Sequence, residues 1–379
     1  MKEFSVTIKQ YFKRIDYWII GAAVGMTLLS ILTLYAGMDR FGTKRPIVQG
    51  VALMLGLVAL VFCSLLDLQP YFEKLRIPLY IAAVAMIGVV ILIGTGASAG
   101  TWLKLQNIGL AIQPSEFVKC IFLITFSQHL KAVRGEINKF KNVIFLAIHA
   151  GLIAGLITVS GDLGSALVFI AMAALMLYMA GLSLWYFAAA AVIVVIAFPI
   201  VWNFLADYQQ ERIIYGFNPA LDPLDRGFQP LMSKAAIISG GFRGAGIDGG
   251  SYYQILPAAQ SDMLFGVLAE KFGFFGTAAY IALFCLLVFR LMAVSRHLSD
   301  PGSQYICIGV AAMIMAQGLE NIGMCLATLP VVGITLPFFS YGGSSLLSMF
   351  ISLGLVENAI THNNKFMFER ESLALGGIT

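Results

Sequence analysis

Charge is what this sequence has least of. Asp, Glu, Lys and Arg make up 12% of its 379 residues, about half the share of an ordinary soluble domain. Hydrophobic residues make up 59% and the mean hydropathy is +0.86, so too little polar surface remains to coat a water-soluble globule of this size. A soluble enzyme is excluded. Ten-residue alternating segments are missing too, which argues against a transmembrane barrel and for helices. The five cysteines form no CxxC pair and lie in apolar stretches, as small core hydrophobes do. The four histidines have no HExxH or other ligand spacing, which speaks against a protein-built zinc site. A net charge of +4, scattered along the chain, gives no footprint for nucleic acid. No small-residue cleavage site follows the first apolar run, so that run reads as a transmembrane helix rather than a signal peptide. Neither an internal repeat nor an inverted pair of interrupted helices is visible, which disfavours a secondary transporter.

What is there is a series of apolar runs. A window of about 20 residues, the span of a bilayer core, picks out ten segments: 17–37, 46–66, 77–94, 115–130, 142–160, 165–181, 184–205, 264–290, 304–327 and 341–361. The expected fold is an all-α integral membrane protein of about ten transmembrane helices. It forms a single polytopic domain over 1–379, with a large extracytoplasmic loop, 206–262, between helices 7 and 8. With the N-terminus inside, the inner segments carry 14 basic residues and the outer segments 8, four of the eight in the one long loop. The positive-inside rule therefore places both termini in the cytoplasm. The outer face then holds a Gly-rich stretch (95–114), an acidic turn (160–164), the long loop and a Pro/Gly-rich segment (328–344). Loops beyond about 12–15 residues usually work, so function is expected at the outer interface.

A charge inside a span costs at least about 2.5–3.5 kcal/mol on insertion scales, so each one needs a reason. Glu116 and Lys119 share a helix face by their spacing, either as a self-neutralising pair or as the lining of an outward-facing cavity. Pro114 suits the first turn of that helix, with Gln113 or Ser115 near its cap. Asp162, in Ser160-Gly161-Asp162-Leu163-Gly164, reads as a helix cap or as a carboxylate facing the same cavity. Asp262 ends the long loop immediately before a strongly apolar helix, where it is either a cap or a catalytic group. Glu270 and Lys271 lie about two turns further on and read as structural or cavity-lining. Glu320 is isolated in an apolar run and is expected to pair with Lys119, Lys271 or an arginine. Gln317, Asn321 and Asn358 read as interhelical hydrogen-bonding residues. Leu336-Pro337-Phe338-Phe339-Ser340-Tyr341-Gly342-Gly343-Ser344-Ser345 breaks and restarts a helix. Its hydroxyls, Ser340 and Tyr341 among them, can bond freed carbonyls or a polar ligand. Ser239-Gly240-Gly241-Phe242-Arg243-Gly244-Ala245-Gly246 follows no strand of a βαβ unit, so it is not a nucleotide loop, although an arginine-bearing loop suits a phosphate.

In this order the segments resemble the SEDS family of bacterial cell-wall glycosyltransferases, which includes RodA, FtsW and SpoVE. The carriers are Gly96…Trp102, Gln113-Pro114-Ser115-Glu116-Phe117-Val118-Lys119, Asp162-Leu163-Gly164-Ser165, Asp222-Pro223…Gly227-Phe228-Gln229, Ser239-Gly240-Gly241…Gly244…Gly246, Leu256-Pro257…Asp262…Glu270…Gly273, Asn321-Ile322-Gly323, Leu329-Pro330-Val331-Val332-Gly333 and Leu336-Pro337…Ser340-Tyr341-Gly342-Gly343-Ser344-Ser345. They span nearly the whole chain. The resemblance implies a ten-helix fold that polymerises lipid II on the outer face of the bacterial cytoplasmic membrane, together with a class B penicillin-binding protein, a transpeptidase. Asp262 matches the family's essential aspartate, and Glu116, Lys119 and Asp162 match positions lining its central cavity. There are departures: Gly161 stands where the family has Pro, Gln260-Ser261 where it has His-Thr before the aspartate, Lys271 where it has a second Glu, and Met232 where it has Gln. Ser233-Lys234 and Leu329–Gly333 look more like the elongation (RodA) branch than the division branch.

The chemistry implied is inverting glycosyl transfer with a lipid-linked diphosphate leaving. Asp262 would be the general base. Lys119, Arg212 or Arg243 would meet the diphosphate, or a divalent cation, Mg2+ or Mn2+, would, with Asp262, Glu116 and Asp162 as candidate ligands. No organic cofactor is expected. The rival readings are a flippase for the lipid-linked precursor, which uses the same cavity without a base, and a non-catalytic scaffold for the transpeptidase.

Overall fold

The structure is a computed structural model and describes residues 13–93, 103–105, 110–205 and 207–363. All ten apolar segments are helices. They are α1 (Tyr17–Ala36), α3 (Lys44–Leu65), α4 (Gln69–Ile93), α5 (Pro114–Ala132), α6 (Phe140–Val159), α7 (Leu163–Met179), α8 (Leu184–Trp202), α12 (Leu264–Ser295), α13 (Pro301–Cys325) and α14 (Gly343–Thr361). Seven of them (α1, α3, α4, α6, α12, α13 and α14) are long and apolar enough to cross a membrane; α7 and the apolar part of α8 are shorter. The chain is thus a multi-pass membrane protein. Apolar side chains that would be unstable in water cover the outside of the bundle, along α8 from Leu184 to Ile200 for example, where Trp185, Val192, Ile193 and Val195 are exposed.

α13 and α14 form the centre, with most of their length buried. α14 lies chiefly against α3, α13 against α7, α12 against α1, and α4 against α5. Small residues set the closest approaches, since lipid provides no hydrophobic push between helices and packing must do the work. At Gly354 of α14 an added Cβ would meet the Leu60 carbonyl oxygen at 3.0 Å and the Cys63 Cβ at 2.8 Å. Helix ends follow sequence rules. Asp16 caps α1 through the Trp18 and Ile19 amides, and Asp300 caps α13 ahead of Pro301.

The long loop is not formless. It contains α9 (Asp207–Phe217), a 3-10 turn (Pro219–Leu221), α10 (Phe228–Gly240) and the single turn α11 (Tyr252–Ile255). α2 (Met38–Phe41) lies between α1 and α3, and a hairpin of three-residue strands, β1 (Leu103–Leu105) and β2 (Leu110–Ile112), precedes α5. The Gly96…Trp102 motif falls outside the described residues.

The Gly-rich loop after α10 docks on a break in α12. Gly273 has φ 62°, and the chain there is open enough for Phe274 N–H to donate to Gly241 O (2.8 Å), Ala245 N–H to Glu270 O (2.8 Å) and Gly246 N–H to Lys271 O (3.0 Å). Gly244, at φ 77°, sits where a Cβ would come within 2.2 Å of Lys271 O, so only glycine fits. The loop thus has a structural task, and Arg243 within it is exposed.

Candidate active site

Asp262 lies in the turn that joins the long loop to α12. Ala258 takes φ 49°, and its carbonyl accepts from the Ser261 and Met263 amides at 3.1 and 3.3 Å. The helix begins at Leu264 with Met263 as its cap residue, so the position next to the aspartate, not the aspartate itself, is the N-cap. Three successive carbonyls of this turn are each held by another part of the chain. Tyr341 N–H donates to Gln260 O (3.1 Å), Ser340 Oγ to Ser261 O (2.6 Å) and Asn321 Nδ2 to Asp262 O (2.7 Å). Asn321 also donates to Ile334 O at 2.7 Å, and Ser340 Oγ accepts from Leu336 N–H at 2.8 Å. The 336–341 segment is itself fixed from three helices: Ser30 of α1 donates to Phe339 O, Gln49 of α3 to Ser340 O (3.2 Å), and Tyr280 of α12 to Pro337 O (3.1 Å). Buried bonds of this kind over-determine a main-chain geometry. The Asp262 carboxylate lies over Gly333, 3.7 Å from where a Cβ would stand. The Arg45 guanidinium sits 5.9 Å from the ring of Tyr341, whose amide holds Gln260 O, and 5.8 Å from the Phe41 ring, at cation–π range.

The strap 331–335 separates Asp262 from a second polar group. On its other side, Val332 and Ile334 press on Gly164, where a Cβ would be 3.0 and 2.5 Å from them. Asp162 caps α7 by accepting from Ser165 N–H (3.0 Å) and also accepts from Gln113 Nε2 (2.9 Å) and Ser115 Oγ (3.4 Å). Asp162 is therefore a helix cap, as one of its two readings has it, and it also ties the start of α7 to the start of α5. Lys119 Nζ contacts Glu116 Oε1 at 2.9 Å with both residues buried, and Ser348 Oγ donates to Glu116 Oε2 at 2.8 Å. Glu320 is half-buried. The charges acting on it come from Asp162 and Lys119, not from Lys271, and its Oε2 is buried with no hydrogen-bond partner among the described residues.

Glu270 and Lys271 do not pair with each other. Glu270 accepts the amides of Ser251, Tyr252 and Tyr253 at 2.7, 2.8 and 2.7 Å, which closes the start of α11. Lys271 donates to Ile247 O and Gly249 O at 2.9 and 2.8 Å and lies 3.8 Å over the Tyr253 ring. Tyr253 Oη donates in turn to Asp39 Oδ2 at 2.5 Å. That bond holds the Asp39 carboxyl below the usual range, and burial together with Asp39 pushes the Tyr253 phenol up to about 12. Of the other expected groups, Arg212 lies in α9 with its side chain outside the described set, and Arg243 lies exposed in the Gly-rich loop after α10. Sequence reasoning passed over Gln49 and Ser30, although each is a polar residue inside an apolar run, and it counted Arg45 only as a loop charge.

Of the candidate metal ligands, Glu116 and Asp162 have protein partners on both carboxylate oxygens, and among the described residues no three His, Cys, Asp or Glu side chains gather into one cluster.

The fold and the site define a multi-pass helical membrane protein with a hydrogen-bonded polar turn where its long loop meets α12. Comparison with known proteins gives the family. The model of the family described as "Cell cycle protein", that of FtsW, RodA and SpoVE, matches residues 14–365. The probable peptidoglycan glycosyltransferase FtsW of Geobacter metallireducens is 28% identical over 94% of this chain and 97% of its own length. The peptidoglycan glycosyltransferase MrdB of Escherichia coli K12 is 32% identical over 89% and 91%. A solved structure described as showing structural coordination of polymerization and crosslinking by a peptidoglycan synthase complex superposes with a TM-score of 0.77 at 27% identity, covering 91% of this chain and 97% of the other. The rod shape determining protein RodA of Thermus thermophilus shares the fold, with a TM-score of 0.69 at 24% identity over 92% and 98%. The chain belongs to the FtsW/RodA/SpoVE family, the SEDS family that its motifs resemble.

Proposed function

We propose that this chain polymerises lipid II into glycan strands at the outer face of the bacterial cytoplasmic membrane. Membership of a family whose relatives are named peptidoglycan glycosyltransferases gives the reaction class: the chain is a glycosyltransferase enzyme. The observation that carries the assignment to a residue is the clamp on Gln260, Ser261 and Asp262, which fixes the Asp262 main chain through three separate donors. In the reaction, Asp262 takes the proton of an acceptor sugar hydroxyl. The hydroxyl oxygen bonds to the anomeric carbon of a second lipid-linked sugar, the bond from that carbon to the diphosphate oxygen breaks, and in-line attack inverts the centre. Positioned general bases give about 10²–10⁴-fold. Arg45, held on Tyr341 beside the turn, is the nearby cation suited to the departing diphosphate. Glu116 and Lys119 act from inside the bundle by holding α5 against α14 rather than by contact with substrate.

Both termini are assigned to the cytoplasm, which puts the Asp262 turn outside. Cross-linking belongs to a separate transpeptidase, and a class B penicillin-binding protein is the partner this reading expects. Ser233-Lys234 and Leu329–Gly333 favour the elongation role. The test is purified protein with lipid II in detergent, with and without the transpeptidase. Glycan ladders support the enzyme. Movement of lipid II across vesicles without any polymer would replace it with the flippase, and neither product with retained transpeptidase binding would leave a scaffold.

A further inference from the structure

Far from Asp262, at the opposite ends of α4 and α5, lies a second polar site that the polymerase reading does not use. A cavity of about 170 Å³ opens between α4, α5 and α6, lined by Arg76, Ile77, Tyr80, His129 and His149. By volume it takes about five waters or one phosphate group. Pro78 stands inside α4 next to it, where a missing amide and a ring clash bend a helix away from its neighbours.

The groups around the cavity are all basic or neutral. His129 Nδ1 and His149 Nδ1 are 3.1 Å apart, so one donates to the other. His149 Nε2 bonds Thr125 Oγ1 at 3.2 Å, and Tyr80 Oη donates to His149 O at 2.9 Å. When His149 Nδ1–H is the donor, His129 Nε2 carries its proton at the cavity. The charges that act on the two imidazoles are Arg76 and each other, with no carboxylate among them. Arg76 makes no ion pair among the described residues and only a long contact, 3.5 Å, to Gln128 O. Two other cations at this end are matched: Lys131 by Asp300 at 2.7 Å and Lys139 by Glu136 at 2.7 Å. A half-buried guanidinium without a counter-ion, beside two imidazoles, lacks an anion.

We propose that this cavity binds a phosphate group, as carried by an anionic membrane lipid. The walls favour a lipid over a soluble ion. Leu75, Ile77 and Ile81 of α4 are exposed beside the cavity, on the surface where acyl chains lie. This end also carries Lys74 of α4, Lys141 of α6 and Arg134 in the turn between α5 and α6, the kind of polybasic rim that concentrates anionic headgroups. The guanidinium supplies a planar donor fork for phosphate oxygens, and His129 and Tyr80 frame it.

The test uses the full chain, delipidated in detergent and then offered phosphatidylglycerol, phosphatidylcholine or inorganic phosphate, with bound species read by native mass spectrometry. The wild type should retain phosphatidylglycerol in preference to phosphatidylcholine. Arg76→Gln should weaken that retention by about five-fold or more, and Arg76→Lys should restore part of it. Failure of millimolar inorganic phosphate to displace the lipid supports a headgroup as occupant; displacement supports a soluble phosphate in the same cavity. Equal retention by wild type and Arg76→Gln, or no preference for either anion in the wild type, overturns the proposal. Should Arg76→Gln not purify as a monodisperse protein, Ile77→Glu on the exposed wall makes the same test by repulsion.

Discussion

The turn at Asp262 and the polar layer at Asp162, Glu116 and Lys119 flank the same strap, yet they are built in opposite ways. In the polar layer it is the side chains that are held. Asp162 accepts three bonds, and Glu116 has one oxygen on Lys119 and the other on Ser348. At the turn it is the main chain that is held, through the carbonyls of three consecutive residues. The side-chain bonds tie α5 to α7 and α14. The main-chain bonds set where the Asp262 Cα stands and so narrow the positions its carboxylate can take, as the general-base reading of Asp262 requires.

The sharpest way to break this contrast is the same isosteric change on both sides of the strap. Asp262→Asn keeps shape and removes the base, and polymerisation should fall by about 10²–10⁴-fold with normal membrane levels. Asp162→Asn keeps the cap, since Asn caps about as well as Asp, and Gln113 can turn its amide to suit. Its rate should stay within about three-fold of the parent. Equal damage from the two changes would show that the two regions share one task.

Much of this contrast was legible in the sequence. The spans follow from apolar length, and Asp262 stands out as a charge placed between a long loop and an apolar helix. What periodicity could not show is where an isolated polar residue in a helix finds its partner. Asn321 reads as an interhelical hydrogen-bonder and in fact holds two loop carbonyls, Asp262 O and Ile334 O, while Glu320 faces Asp162 and Lys119 rather than Lys271. Glu270 and Lys271 are adjacent in sequence yet bond to different stretches of the loop, because a break at Gly273 brings that loop against the first turns of α12. Such bonds join residues tens to hundreds of positions apart and depend on main-chain atoms, which leave no side-chain pattern to read.

The second test acts on the layer itself. Lys119→Met leaves Glu116 buried without its counter-charge, which costs about 3–5 kcal/mol and should appear as a large loss of thermal stability in detergent. Removing both charges, as Glu116→Gln with Lys119→Met, should recover most of that loss, because a buried pair replaced by matched neutral groups is often close to neutral. Polymerisation should return with the fold in the double variant. A stable but inactive double variant would move Lys119 from the frame of the site into its chemistry.

The smallest effect belongs to a further carboxylate, Asp39, which is held by its side chain as in the polar layer but lies at the exposed surface. The Tyr253 hydroxyl keeps its pKa below the ordinary 3.8, so its contribution to docking α11 is complete above that value and is lost as pH falls through the depressed one. The Tyr253 phenol, raised to about 12, keeps its proton well past the ordinary 10, so the donor persists throughout the neutral range. Docking of α11 should therefore be flat from about pH 5 to pH 9 and weaken only below pH 4. Amide exchange at Ser251–Tyr253, corrected for its intrinsic pH dependence, reads this directly, since those amides are the ones bonded to Glu270. In Asp39→Asn the protection should be slightly lower at neutral pH and the acid limb should shrink. An acid limb of unchanged size in Asp39→Asn would leave Asp39 as a surface contact with no measurable role in holding the loop.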